Sequence, residues 1–369
     1  MIRQTLAIFL DAYRDLNARK LFWVTLILSA FVVLSFAIVG VDAKGLSIVT
    51  FHMELPQAKL LYKQLFSLIV IGLWLTWAAT LLALVSTAGI FPDFISGGSV
   101  DLYLAKPIGR GRLFVTKYLS GLLFVTLQVL VVACGSFLIL GIRGHDWNLR
   151  LFWAVPIVVC FYSYLFGFCV LLGVQTRSTI AALLLTLLFW TFLAVLDRGE
   201  PALLTFRNAY ETQAHEKQER SESADMVLLR AQANPQSAAL LPSLQESSDS
   251  ARREADDAAH TARVLRNVHA AVYGIKTVTP KTTDTLGLLD RYLFPSNKEA
   301  EYAGGVSPDQ QQQRSPPPFD ENQADMMAGA KKAVEDLRAR SPWWIVGTSL
   351  AFEAVIVALA MWVFCRRDY

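Results

Sequence analysis

The sequence predicts an all-α integral membrane protein. It has six transmembrane helices, an N-terminal amphipathic interfacial helix and a large helical external insertion between spans five and six. Three observations predict this. The 369 residues are 54% hydrophobic and only 18% charged, below the roughly 25% charge of soluble domains. The apolar residues lie in long blocks, most of them close to the ~20 residues that cross a bilayer as a helix. The polar residues concentrate in one segment, 198–341, just before the last block. This composition excludes an ordinary soluble enzyme, and it excludes a disordered chain, which needs few apolar residues and high charge. The net charge of +3 is too small to argue for nucleic acid as a partner.

Residues 1–20 come first. Ile2, Leu6, Phe9, Tyr13 and Leu16 recur at three- to four-residue steps, with Arg3, Asp11, Arg14 and Asp15 on other faces. That is a helix with one apolar stripe, lying in the membrane interface as an elbow before the first span. The apolar blocks follow at 21–41, 65–90, 118–142, 151–174, 179–196 and 343–365. The first is too long for a signal peptide, and the polar stretch before it holds Asp11 and Asp15. Cys134, Cys160, Cys169 and Cys365 all lie in apolar blocks, so no disulfide framework is expected in the polar segment.

Orientation follows from Lys and Arg in the short loops. One set of loops carries eleven: Arg3, Arg14, Arg19, Lys20, Lys106, Arg110, Arg112, Lys117, Arg177, Arg366 and Arg367. The alternate set carries five: Lys44, Lys59, Lys63, Arg143 and Arg150. The first set is therefore cytoplasmic, both termini are inside, and 198–341 lies outside. The chain then divides into the elbow 1–20, spans one to five over 21–197 with a cytoplasmic loop at 91–117, the external segment 198–341, and the sixth span with its tail at 342–369.

The loop at 91–117 is the most informative stretch. Pro92 ends the second block, and Gly97 and Gly98 permit a turn. Ser99 can cap a short helix running to Ala105, with Asp101 in its first turn and Lys106 at its end, both of the sign the helix dipole favours. Pro107 stops it. Arg110, Arg112 and Lys117 follow at the membrane boundary. Gly109 and Gly111 are no nucleotide fingerprint, because they follow no strand and lack a third glycine.

This pattern resembles the permeases of type-2 ABC exporters: an acidic residue, Ser-Gly-Gly-Ser, Leu-Ala-Lys-Pro-Ile-x-Arg, then Lys at the start of the third span. The resemblance includes the permeases of nitrous oxide reductase maturation and of gliding-motility systems. It covers the elbow and the six-span plan, and it departs in the length of the external segment. It implies that the loop is a coupling helix docking on an ATPase, with Asp93, Gly97, Gly98, Asp101, Lys106, Pro107, Arg110 and Lys117 as the matching positions. It further implies a cytoplasmic ABC ATPase as partner, a second permease subunit, identical or related, and a bacterial inner membrane. No GxxxxGK[ST] loop occurs in the chain. The chain is therefore expected not to be an enzyme and to carry no cofactor, with ATP and magnesium on the partner.

One ionisable residue lies deep in a block. Glu353 is ten residues past Trp343, roughly 15 Å in at 1.5 Å per residue. Intramembrane carboxylates line transport paths or take up protons, so Glu353, with Gln128 of the third span, marks a translocation path. The competing reading is an interhelical hydrogen bond from Glu353 to Gln128 or Gln175.

In the external segment, Ala251, Ala255, Ala258, Ala262, Leu265, Val268 and Val272 follow a coiled-coil-like step. They predict a helix paired with an earlier one over 206–233, a hairpin able to bind an external protein partner. Leu286, Leu288, Leu289 and Leu293, capped by Thr283 or Asp284, predict a helix on the outer membrane surface. Residues 303–325 read as a Gly-, Pro- and Gln-rich linker, and 326–340 as a helix feeding the last span. His52, His215, His260 and His269 show no ligand spacing, so no metal is expected. Two other functions remain open on sequence alone: a proton-coupled secondary transporter using Glu353, and a membrane scaffold or mechanotransmitter whose hairpin recruits a partner.

Overall fold

The computed structural model describes residues 20–42, 45–48, 51–53, 67–96, 109–144, 147–293 and 321–367. The predicted elbow helix falls outside the described residues but for Lys20, and the linker does so up to residue 320. In chain order the helices are α1 (Lys20–Ile38), a π-helix (Ser67–Ala79) continuing as α2 (Thr80–Thr87), α3 (Ile90–Ser96), α4 (Arg110–Gly144), a 3₁₀ turn (Leu149–Trp153) leading into α5 (Ala154–Thr176), and α6 (Thr179–Gln232). Then come a second 3₁₀ turn (Pro235–Leu240), α7 (Leu241–Val278), α8 (Thr282–Leu293), α9 (Glu321–Ala339) and α10 (Pro342–Arg366).

Among the described residues five helical stretches are long and apolar enough to cross a membrane: Leu73–Ile95, Arg110–Ile142, Leu149–Thr176, Thr179–Gln232 and Pro342–Arg366. These make the chain a membrane protein in architecture. The first of the six predicted blocks forms α1, a helix of 19 residues over Lys20–Ile38. Its last residues leave the helix: Val39–Asp42, Gly45–Ile48 and Phe51–Met53 form a three-stranded antiparallel meander, with Val39 opposite Ile48 and Leu46 opposite Met53. β-Branched residues beside Gly40 favour extended backbone over helix there.

The chain folds as two compact units. The first holds Met1–Leu193, Pro280–Val306 and Ile345–Tyr369. Its helix directions can be read from pair contacts. Phe22 meets Phe124, and a Cβ on Gly135 would meet Val33, so α1 and α4 run parallel. Ser163 meets Glu353 and Gly167 approaches Val357, so α5 and α10 run parallel. Tyr118 stacks on Phe166 and Phe137 packs on Phe152, which sets α4 antiparallel to α5. Phe161 packs on Trp190, and a Cβ on Gly173 would meet Ala182, which sets α6 antiparallel to α5. At one end of this core Phe91, Phe114 and Phe364 join α3, α4 and α10. Where the π-helix gives way to α2, the Thr80 hydroxyl donates to the Leu75 carbonyl five residues back, following the wider turn. α8, the predicted surface helix, packs against α5 and the 3₁₀ turn before it. Thr285, Leu288 and Leu289 are buried, and Tyr292 stacks on Trp153.

The second unit holds Ala194–Thr279 and Ser307–Trp344. Here α6 and α7 form the predicted antiparallel hairpin: Asp225 bonds Ser248 and Arg252, Lys217 pairs with Glu254, and Arg207 contacts His269. On α7 the buried residues Ser248, Ala255, Ala262, His269 and Lys276 recur at steps of seven. The predicted seam holds at Ala255, Ala258 and Ala262 and departs from the prediction beyond them, where His269 is buried and Val268 is exposed. Rather than a fresh start near residue 206, α6 is one helix of 54 residues with Pro201 inside it. α9 lies antiparallel to α6 at close range. A Cβ on Gly329 would come 2.7 Å from the Thr205 carbonyl and 2.8 Å from the Ala209 nitrogen.

Candidate functional site

The loop read as a coupling helix is described only at its ends. Gly97, Gly98, Asp101, Lys106 and Pro107 lie outside the described residues. Asp93, on α3, is exposed and accepts a hydrogen bond from the Thr179 hydroxyl at 3.2 Å, which ties α3 to the start of α6. Lys117 is buried on α4, its ammonium 5.3 Å from the Phe94 ring centroid. Arg110 donates to the carbonyls of Cys365 and Arg367 at 3.1 and 3.0 Å. Arg367 in turn donates to the Val174 and Gln175 carbonyls at 2.7 and 3.1 Å. Arginines therefore satisfy the orphan carbonyls at the ends of α5 and α10, the sign the helix dipole prefers. The three described motif residues thus gather at one end of the first unit, touching α3, α4, α6 and α10.

Glu353, half-buried on α10, holds three helices together. The Tyr118 hydroxyl of α4 donates to Oε1 at 2.8 Å, and the Ser163 hydroxyl of α5 donates to Oε2 at 2.7 Å. Gly167, one turn along α5, lets α10 approach, since a Cβ there would meet Val357 at 3.2 Å. Glu353 is thus bonded to neither Gln128 nor Gln175. Gln128 sits ten residues along α4 from Tyr118, about 15 Å away. It is buried, and its amide oxygen has no hydrogen-bond partner among the described residues. One turn before Glu353, Ser349 accepts a hydrogen bond from the Lys281 amide at 3.0 Å, and the buried Lys281 ammonium donates to Thr348 at 2.6 Å.

The second unit contains a charge cluster that the sequence reading missed. Glu200 lies on α6, four residues past the apolar stretch, and is fully buried. Arg340 holds it through two hydrogen bonds. The Lys276 ammonium is 3.3 Å from one of its oxygens and 3.6 Å from Asp197. His269 Nε2 is 3.2 Å from the other oxygen, and Arg207 is 3.3 Å from His269 Nδ1. With Arg207 donating to Nδ1, the geometry assigns the proton to Nε2, which donates to Glu200. The Arg340 guanidinium also lies over Tyr273 and Trp344, which stack on each other. Burial alone would raise the Glu200 carboxyl. The Arg340 hydrogen bond, the Lys276 and Arg340 charges and the His269 hydrogen bond outweigh it and hold the group below the usual carboxylate range. The signal for this cluster was same-face spacing: Asp197 and Glu200 three apart on α6, His269 and Lys276 seven apart on α7.

Among the described residues no group of His, Cys, Asp and Glu has the arrangement of a metal site. The geometry provides a helix clamp at Glu353, an ion-paired junction at Glu200, and a basic rim where the loop 91–117 begins and ends. Comparison with family models, with curated proteins and with solved structures gives no match to the chain.

Proposed function

We propose that the chain is the membrane-spanning permease subunit of an ATP-binding cassette transporter, working as an exporter in a bacterial inner membrane. Both termini and the loop 91–117 face the cytoplasm, and residues 198–341 lie outside. Two permease subunits pair with two cytoplasmic ATPases. ATP hydrolysis on those partners moves the loop and rocks the spans between inward and outward states.

The observation that carries this reading is the loop pattern from Asp93 to Lys117 between two apolar helices. The anchoring of its ends supports it. Asp93 bonds Thr179 on α6, and Arg110 bonds the end of α10, so a displacement of the loop is felt by several spans. The alternating helix directions in the first unit also fit chain ends on one side.

The test is Lys106→Glu, and separately Gly97→Val with Gly98→Val, in vesicles holding the chain with its ATPase. The expected result is normal insertion with loss of ATPase retention on the vesicles. Normal retention by both variants would contradict the coupling role.

A second reading, ATP-driven mechanical transmission to a partner outside, is favoured by the unbroken α6. One helix runs from the fifth apolar stretch to Gln232. The proton-coupled alternative requires Glu353 to lose and gain a proton during transport. Gradient-driven transport without an ATPase, abolished by Glu353→Gln, would favour it.

A further inference from the structure

We propose that Glu353 binds a proton reversibly and that the Tyr164 hydroxyl relays that proton to it from the α8 side. Three observations in the first unit carry this. The first is that the Glu353 clamp is fully hydrogen-bonded in both protonation states. The Ser163 hydroxyl has one hydrogen and two acceptors within reach, Glu353 Oε2 at 2.7 Å and the Cys160 carbonyl at 2.8 Å. With Glu353 ionised, that hydrogen lies toward Oε2. When a proton arrives on Oε2, the new O–H donates to Ser163 Oγ, and the Ser163 hydrogen turns to the Cys160 carbonyl. Tyr118 donates to Oε1 in both states. The side chain can therefore take up and give back a proton without breaking the contact of α10 with α4 and α5.

The second observation is an orphan. Tyr164 is fully buried on α5, and its hydroxyl makes no hydrogen bond among the described residues. A buried hydroxyl without a partner costs stability. Its neighbours are two other hydroxyls, Thr285 of α8 and Ser349 of α10, both fully buried. Their hydrogens are committed, since Thr285 donates to the Lys281 carbonyl and Ser349 to the Ile345 carbonyl, each at 2.7 Å. The Tyr164 hydrogen is the one left to turn.

The third observation is a continuous polar seam. Ser349 lies one turn before Glu353 on α10, about 6 Å along the helix. One water with bonds of about 2.8 Å on either side spans that gap, with hydroxyls and a carboxylate as its partners. On the other side Ser349 accepts from the Lys281 amide, and the Lys281 ammonium donates to Thr348, which is partly exposed five residues past Trp343. In the transfer, Tyr164 gives its hydrogen to the water on the Glu353 side, and that water gives one to Oε2. Tyr164 regains a hydrogen from water entering on the α8 side. The titratable groups facing Glu353 are Tyr118 on α4 and Cys160 and Tyr164 on α5. α6 meets α10 here through Phe189 on Phe352, and the α8 segment brings Lys281 and Asp284. The proposal deepens the proton-coupled reading of Glu353 and does not depend on an ATPase.

The test is infrared spectroscopy of the full chain in liposomes, moved from water to heavy water. The Glu353 carboxyl band is the one that Glu353→Gln removes. It is expected to lose intensity as pH rises and to shift on deuteration. Tyr164→Phe is expected to keep the fold, because its hydroxyl has no bond to lose, and to slow that shift several-fold. Ser136→Ala removes another buried hydroxyl without a partner, on α4, and is expected to leave the rate unchanged. A native rate in Tyr164→Phe, or equal slowing in Ser136→Ala, overturns the relay and leaves proton uptake by Glu353 standing. Absence of any carboxyl band removed by Glu353→Gln overturns the relay and the proton-coupled reading together.

Discussion

Two carboxylates, half-buried Glu353 and fully buried Glu200, do different work at the residue scale. Glu353 accepts from Tyr118 and Ser163 and joins α4, α5 and α10. Interhelical hydrogen bonds in membranes contribute about 0.6–2 kcal/mol. Glu353→Leu is expected to lower stability by roughly that amount, measured by thermal unfolding in detergent. Glu353→Gln is expected to cost less, because its amide oxygen still accepts from Tyr118 while Ser163 turns to the Cys160 carbonyl at 2.8 Å. Equal losses would remove the clamp role. Glu200 is ion-paired instead, and removing one member of such a group costs about 3–5 kcal/mol because the remaining charge stays buried. Glu200→Leu is expected to fall in that range. The pH sign follows from its lowered carboxyl. Its stabilisation is complete above the ordinary carboxylate value near ~4.3. It is lost as pH falls through the lower folded value. Unfolding of the full chain between pH 6 and pH 3 should steepen for the native residue and flatten for Glu200→Gln. Parallel curves would contradict the assignment.

At the scale of elements, close approach separates two kinds of helical glycine. Gly329 faces backbone atoms of α6 at under 3 Å from its virtual Cβ, and backbone cannot swing aside as a side chain can. Gly329→Ala is expected to destabilise by roughly 1–3 kcal/mol. Gly287, on α8, has nothing within 4 Å. There the lower entropy cost of alanine should stabilise by up to about 1 kcal/mol. Opposite signs for the two variants in a thermal-shift assay check the α6–α9 packing, and a stabilising Gly329→Ala would refute it. Similar physics explains what was hard to read in the sequence. The run Asp197-Arg198-Gly199-Glu200-Pro201 looks like a helix stop, yet α6 continues through it. Partners on α7 and just beyond the end of α9 satisfy charges that local sequence leaves unexplained. The α7 seam was legible at Ala255, Ala258 and Ala262 but not beyond, because Val268 is the more apolar neighbour, whereas His269 is buried by its bonds to Glu200 and Arg207.

At the scale of the whole molecule, blocks of about 20 apolar residues announced the long helices, since burial in lipid demands that composition over a whole helix. The structure bears this out for five stretches and shortens the first, where Val39–Asp42 leaves the helix for a sheet. The candidate site was less legible. Glu353 stood out as a lone deep charge, but Tyr118 reads as a span boundary and Ser163 as an ordinary small residue. Lys276 and Lys281 lie in the polar segment, and their burial depends on acceptors far away in sequence. The central claim is that the chain couples to an ATPase it does not itself contain. The measurement that tests this most directly is purification of the tagged full chain from native membranes in mild detergent, with mass spectrometry of what accompanies it. The account predicts a near-stoichiometric P-loop ATPase that is lost when Lys106→Glu is introduced. Absence of any such ATPase, under conditions that keep known ABC assemblies intact, would contradict it.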